Sequence, residues 1–424
     1  TWTFSTWIKR SGIGLSAPMN VFGGEDGASR YTDIMIGTPS GADDTFWFKQ
    51  DTGTVAELRS TLKLRDPSAW YHLVFVYDST NGTADDRMKM YVNGVQLTSF
   101  VTRTNVGSNV DSYVNTSGDN NYVGVYDGSS KWLDGYLCET TLIDGTALTP
   151  TSFGEYNEDS PTIWQPIDVS GLTFGTNGFY LDFEDSSALG NDVSGNNNDF
   201  TVNNLTATDQ STDTCTNNFA TLNPLYTNDG AITYSEGNLK AAAGSGSASW
   251  TTRYAFSSIG VSAGRWYVEA KCVDSGGSNQ FYFGVGKDIN TWSFNSSLGY
   301  EDTGQGWGYY ANNGNIVNNG NDLYTSGNSY TDGDIISMEL DLEDMTLDFY
   351  KNGAKEGYQV TSLPAGTYHF AINGYAAIDG EFNFGSPNFS ISSGNSDANG
   401  YGNFEYSVPS GHYALNTKNL AEFG

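Results

Sequence analysis

Apolar residues recur along much of this chain at every second position. Ile336, Met338, Leu340 and Leu342 alternate with Ser337, Glu339, Asp341 and Glu343, which is the period of a strand with one buried and one wet face. Polar, turn-compatible residues at 343–346 break the pattern. Leu347 and Phe349 resume it, and Asn352-Gly353 closes it with the pair that a type I′ turn favours. The stretch 331–353 therefore predicts a β-hairpin followed by a second turn, inside an antiparallel sheet. The same rhythm opens the chain, where Trp2, Phe4 and Thr6 alternate with Thr3, Ser5 and Trp7. Further strands are predicted over 46–48, 70–77, 88–92, 122–124, 133–139, 142–143, 254–256, 264–272, 281–286 and 382–384. The texture changes between 156 and about 222: residues 186–198 are mostly Ser, Gly and Asn, and 205–218 are rich in Thr and Asp. A stretch of that length without strong periodicity marks a boundary.

With 424 residues the chain is long enough for two or three domains, each with its own core. Its 51 Gly, 10 Pro and 14% aromatic content suit many short strands joined by tight turns. Lys and Arg number 19 against 49 Asp and Glu, a formal net charge of -30. Such a surface repels phosphate backbones and anionic lipid, so neither nucleic acid nor membrane insertion is expected. The charge serves solubility, with weak divalent-cation binding at loop carboxylates as a secondary reading. Nothing approaches the roughly 18 consecutive apolar residues of a membrane-spanning helix. No signal peptide is recognisable, and a strand beginning at Thr1 implies a start inside a domain. Cys138, Cys215 and Cys272 are odd in number and lack metal-ligand spacing. Cys272 shares a strand face with Trp266, Val268 and Ala270, as a small core residue would.

Several motifs carry resemblances. GRWYVE at 264–269, FYFGVG at 281–286, LDL at 340–342 with LDFYKNG at 347–353, and FNFG at 382–385 stand in the order of SPRY-domain strands. The second half resembles that family, a β-sandwich that binds ligands through its loops. In the first half, FSTW at 4–7, WYHLVFVYD at 70–78, MYVNG at 90–94 and the strand from Asp134-Gly135 to Glu139 resemble a LamG, or concanavalin A-like, jelly-roll. The expected fold is all-β, with two antiparallel sandwiches: 1–160 LamG-like with its opening strand missing, and 216–424 SPRY-like. Residues 161–215 form a polar connector, which either links the two or completes the first sandwich. TNNFATLNPL at 216–225 and PSGHYALNTKNL at 409–420 resemble the opening and closing runs of SPRY-like modules in phage virion proteins, marine phage among them. Those chains often continue into another domain, so the resemblance implies truncation at Gly424.

Candidate chemistry is sparse. Glu339, Asp341 and Glu343 form an E-x-D-x-E pattern like the catalytic strand of laminarinase-like glycosidases, and alternation puts them on one face. A retaining pair needs carboxyls about 5–5.5 Å apart, whereas the Cα atoms of Glu339 and Glu343 are roughly 13 Å apart at about 3.3 Å per residue. Within a SPRY frame this face is solvated, so no enzyme is expected. His72, His369 and His412 lack metal-ligand spacing and read as hydrogen-bonded structural residues. DVSGNNNDF at 192–200 resembles a turn near the start of LamG-type domains, which often hold calcium. Asp192, Asn196, Asn198 and Asp199 offer it oxygen ligands, against the alternative of a turn built on side-chain to backbone hydrogen bonds. No other cofactor is expected. Trp292, Trp307, Tyr309 and Tyr310 lie in a Gly/Asn-rich stretch, either as loop rings that stack on a ligand or with Trp307 and Tyr309 turned inward as core.

These resemblances imply a non-enzymatic phage tail-fibre or appendage protein on the virion surface that recognises host-surface glycan or protein. A homo-oligomer, trimeric by analogy, and contacts with other virion subunits come with that reading. The alternatives are a structural virion component binding its neighbours, a secreted bacterial adhesin, and a glycan hydrolase using Glu339 and Glu343.

Overall fold

The structure is a computed structural model that describes residues 1–27, 30–38, 41–226, 232–243, 253–274, 280–294, 296–301, 303–375 and 378–424. It divides into two units, Thr1–Gln210 and Ser211–Gly424. Both are built from antiparallel sheets, and the one α-helix among the described residues is Thr417–Phe423.

In the first unit the strands are β1 (Trp2–Arg10), β2 (Met19–Glu25), β3 (Tyr31–Thr38), β4 (Gly41–Asp51), β5 (Val55–Lys63), β6 (Trp70–Tyr77), β7 (Met88–Val92), β8 (Val95–Gln96), β9 (Phe100–Thr104), β10 (Asn120–Val123) and β11 (Gly135–Asp144). They are followed by β12 (Gly154–Tyr156), β13 (Trp164–Pro166) and β14 (Phe179–Leu181). One sheet runs β14-β11-β1-β6-β7-β8 and faces a second, β10-β2-β3-β4-β5-β9. Trp2, Phe4 and Ile8 of β1 point between the sheets and share a core with Phe22, Ile34, Phe46, Phe48 and Phe75. Each such side chain, fully buried, stabilises the fold by about 1.5–3 kcal/mol.

All nine residues of β1 are buried, so the outer face of its sheet is covered as well. Residues 146–200, much of the expected connector, form that cover. Val74, Val76, Tyr91 and Ile143 pack outward against Phe153, Val169 and Phe174, and Phe179–Leu181 joins the sheet beside β11. His72 stacks on Trp7 with ring centroids 4.8 Å apart. Trp164 donates its indole N–H to His72 Nδ1 at 2.9 Å, and His72 Nε2 lies 2.8 Å from Ser5 Oγ. An indole only donates, so Nδ1 accepts and Nε2 carries the proton. Burial pushes this imidazole down to about 3. It stays neutral at neutral pH, and its contribution is lost only as acid drives the pH down from about 6.5 toward 3. A methyl on Gly94 would stand 2.6 Å from the Trp164 ring, so the indole lies directly on the β7–β8 turn. Trp164→Ala should therefore lower the stability of the protein by about 2–4 kcal/mol, read from a urea transition. An unshifted transition would show that this cover contributes nothing.

In the second unit the larger sheet orders its strands as Thr233–Ser235, Lys240–Ala243, Ile378–Asn383, Arg265–Asp274, Ile335–Asp341, Thr346–Lys351 and Ala354–Lys355, with Val360–Thr361 and Tyr413–Ala414 attached. The smaller sheet runs Tyr254–Phe256, Tyr368–Gly374, Phe281–Lys287, Gly306–Tyr310, Ile316–Asn318 and Asn321–Tyr324. The hairpin read from 331–353 is present, with Met338 opposite Phe349 and Leu340 opposite Leu347. Asn352 and Gly353 take φ of 48° and 77°, the left-handed pair that a type I′ turn demands. Ile336, Met338, Leu340, Leu342 and Cys272 all lie in the core.

The outer face of the larger sheet, expected to be solvated, is instead covered by residues 386–416. The Glu269 carboxylate accepts the backbone N–H groups of Glu405 (2.9 Å) and Tyr406 (2.8 Å), the Tyr267 hydroxyl (3.1 Å) and the Asn383 amide (3.3 Å). Burial raises the pKa of this carboxyl, and these donors pull against the rise. Phe404 packs edge-on against Tyr267 at 5.2 Å.

The smaller sheet has its own cover. Gly284, Gly286, Gly306 and Gly308 leave its outer face nearly flat, and residues 289–294 and 296–301 lie down on it. A methyl on Gly284 or Gly308 would collide with the backbone of Trp307 or Leu298. Leu298 and Trp292 are buried there with Tyr254, Phe256 and Tyr282.

Candidate ligand-binding site

Three of the four outer sheet faces are thus clad by the chain itself. The fourth belongs to the sheet of β2, β3, β4 and β5, and among the described residues the loop 124–134 covers only part of it. Asn20 anchors that loop, donating its backbone N–H to the Lys131 carbonyl at 2.9 Å and its amide to the Val125 carbonyl at 2.7 Å. Across the face, Gly23, Asp33, Lys49 and Glu57 form one cross-strand row, and Glu25, Tyr31 and Asp51 form the next. The Asp33 carboxyl lies flat over Gly23, where a methyl group would stand 1.9 Å from Oδ1. Only glycine permits that.

Asp33 is 3% exposed, and its Oδ2 has no hydrogen-bond partner. Two lysines stand nearby, yet among the described residues neither forms an ion pair with it. Lys131 Nζ sits 3.4 Å from the centroid of the Tyr126 ring, and Lys49 Nζ lies 5.2 Å from that of Tyr31 and 5.6 Å from that of Trp47. Tyr31 and Tyr126 meet edge to face at 5.9 Å. Burial pushes the Asp33 carboxyl up to about 8. Lys131 and Lys49 oppose the rise, and Glu25 and Asp127 add to it. A buried, unpaired acid with so raised a pKa costs stability at neutral pH, and such groups concentrate at functional sites. Trp132, the residue after Lys131, is 51% exposed.

The residues singled out in the sequence lie elsewhere. Trp292 is 7% exposed and packs edge-on against Tyr254 (5.6 Å) and Phe256 (5.2 Å). Trp307 and Tyr309 are not on a loop but in the strand Gly306–Tyr310, pointing into the core, with the Tyr309 hydroxyl 2.9 Å from Glu356. Tyr310 faces outward, half-buried, stacked on Tyr282 at 4.4 Å. These four do not form a ligand platform, because strand alternation and the glycine-flattened face place three of them inside.

Glu339, Asp341 and Glu343 are likewise separated in role. Glu339 takes the Tyr350 hydroxyl, and His412 Nε2 lies 3.3 Å from its Oε1, near enough to pair but not aligned as a hydrogen bond. Asp341 pairs with Arg265 at 2.7 Å and caps a turn through the N–H groups of Glu343 and Asp344. Glu343 lies past the strand end, in that turn. His369 donates its Nδ1–H to the Ser257 carbonyl at 2.8 Å.

At the calcium candidate, Asp192 Oδ1 accepts the N–H groups of Tyr180 and Ser194, and Oδ2 accepts the Asn198 N–H and the Ser194 hydroxyl, each at 2.9 Å. Asp199 accepts the Asp192 N–H at 2.9 Å, while the Asn196 and Asn198 amides donate to the carbonyls of Gly175, Thr176 and Gly178. A calcium site needs oxygens converging on one centre, and here the carboxylate is already saturated by donors. The set as arranged does not fit the ion. Burial raises the Asp192 pKa, but the Tyr180, Ser194 and Asn198 donors outweigh it and hold the group below the usual carboxylate range.

Two outcomes follow. Asp192→Ala should cost about 2 kcal/mol above the ordinary carboxylate range. That difference should vanish as the pH falls through the depressed folded-state pKa, and melting should be the same with calcium as with chelator. For Asp33 the sign is opposite: the folded state holds the extra proton, so its contribution declines as pH rises from about 4 toward 8. Asp33→Asn should gain on the unmodified protein by up to about 1.4 kcal/mol per pH unit over that window. Parallel pH–stability curves for the two proteins would contradict the buried, unpaired carboxyl.

Comparison with known proteins places these units in families. Residues 1–152 match the Laminin_G_3 model, described as the concanavalin A-like lectin/glucanases superfamily, and residues 265–387 match the SPRY domain model. No curated protein matches the chain. Similar solved structures include the SPRY domain of human HERC1, at 25% identity and TM-score 0.31, covering 38% of this chain and 94% of that one. The PSpry domain of TRIM65 is similar at 17% identity and TM-score 0.32, covering 39% and 91%. A human SPRY domain matches at 17% identity and TM-score 0.29, covering 36% and 94%. The chain therefore carries a concanavalin A-like domain of the Laminin_G_3 type followed by a SPRY domain, a pairing of binding and adhesion modules.

Proposed function

We propose that this protein is a non-enzymatic appendage protein of a phage particle that recognises glycan on the host surface through its first sandwich. The observation that carries the reading is the partly open outer face around Asp33, a buried carboxyl whose Oδ2 has no partner, flanked by two lysines that rest on the rings of Tyr31, Trp47 and Tyr126. Sugars are bound by polar groups that take their hydroxyls and by aromatic rings that take their C–H faces. The phage setting draws support from the two phage-like runs, which meet in the second unit. The Ala220 N–H donates to the Leu415 carbonyl at 3.0 Å, and Thr417 and Asn218 exchange two bonds at 2.9 and 3.0 Å. The non-enzymatic part rests on the engagement of Glu339 and Asp341 with Tyr350, His412 and Arg265.

Fluorescently labelled protein should bind intact cells of a susceptible host, and periodate oxidation of surface sugars should abolish the binding. Binding that survives oxidation would point to a protein receptor, and binding to no candidate cell would contradict host recognition.

A further inference from the structure

The open face is specific enough to name a ligand class, an inference that rests on the glycan-binding reading above. We propose that Asp33 is the hydroxyl-binding residue of a subsite for a neutral sugar, and that the Lys131 side chain is its displaceable cover.

Three observations point there. First, Asp33 Oδ2 is buried without a partner, although a paired group would spare the chain about 1–3 kcal/mol. A ligand hydroxyl supplies the missing donor. Second, Lys131 is half-buried and rests on the Tyr126 ring at 3.4 Å instead of pairing with the acid. Rotation of one long side chain frees the Tyr126 face and takes an ammonium group away from Asp33, with which it interacts electrostatically. The backbone under that side chain is fixed, because the Asn20 N–H holds the Lys131 carbonyl at 2.9 Å and the Leu133 N–H holds that of Gly124 at 2.8 Å. The cover moves and the frame does not. Third, the charges on this face do not favour an anion: Lys49 and Lys131 stand against Glu25, Asp51, Glu57 and Asp127. An acidic sugar gains no net attraction there. A polyanion also meets a chain of formal net charge -30. A cationic ligand is opposed by the two ammonium groups at the rings. An uncharged polyhydroxylated ligand satisfies all three conditions.

The test is affinity electrophoresis of the whole chain in gels containing neutral polysaccharides (mannan, dextran, β-1,3-glucan) or acidic ones (alginate, polygalacturonate). At least one neutral polymer should retard the protein, and the acidic ones should not. Asp33→Leu, which fills the same space without a polar atom, should weaken that retardation at least about tenfold, the value of a single well-made hydrogen bond to a charged or polar partner. Lys131→Met should strengthen it, since the cover no longer competes for the ring, and this surface change keeps the test open if Asp33→Leu does not fold. Retardation by a neutral polymer that neither substitution alters would overturn the subsite while leaving glycan recognition intact. Preference for the acidic polymers would overturn it in the same way. No retardation in any gel, together with periodate-resistant cell binding, would remove the glycan reading itself.

Discussion

A β-sheet in a sandwich buries one face by construction and leaves the other to be settled by the rest of the chain. That constraint governs this protein. Val74, Val76, Tyr91 and Ile143 cannot face water as a group, and they are sealed by Phe153, Val169 and Phe174. Tyr267, Glu269, Ser337 and Asn383 are polar but fully buried, so each needs a partner, and the segment that supplies Glu405 and Tyr406 becomes part of the fold. The glycine stripe of the smaller SPRY sheet achieves the same end by geometry, letting Trp292 and Leu298 approach the backbone closely. Much of this cladding lies outside the segments that match family models, in 153–210 and 388–424.

With three faces sealed, the remaining one acquires meaning. On it the chain accepts what it avoids at Glu269: a buried carboxyl without a full set of donors. Asp192 and Glu269 show how readily this fold satisfies a carboxylate, with four donors each. Asp33 receives none at Oδ2 although two lysines are at hand. A group left in that condition is a cost to folding and a gain to any ligand that completes it.

The two sandwiches were legible in the sequence because alternation, turn pairs and strand order act over short range. Ile336 to Leu342 and Asn352-Gly353 lie where periodicity and turn chemistry put them. The strands Met19–Glu25, Tyr31–Thr38 and Val55–Lys63 were not legible: a bulge at Asn20/Phe22 breaks the alternation of the first, and in the last the buried positions include the small residues Ala56 and Ser60. The binding face went with them. Trp307 and Tyr309 attracted attention as aromatic residues among glycines, but those glycines flatten a strand rather than build a loop. Whether Glu269 or Asp192 finds donors depends on chain 136 or 12 residues away, and no local pattern reports such a distance. The signal for Asp33 was the Gly23-Gly24 pair, which only the sheet register brings opposite it.

The most direct measurement is amide hydrogen exchange of the whole chain, with and without surface polysaccharide extracted from cells that it binds. Protection should rise in residues 20–35 and in the loop 124–134, with 289–301 and 386–416 unchanged. Protection confined to the SPRY unit would contradict the assignment of ligand recognition to the open face of the first sandwich.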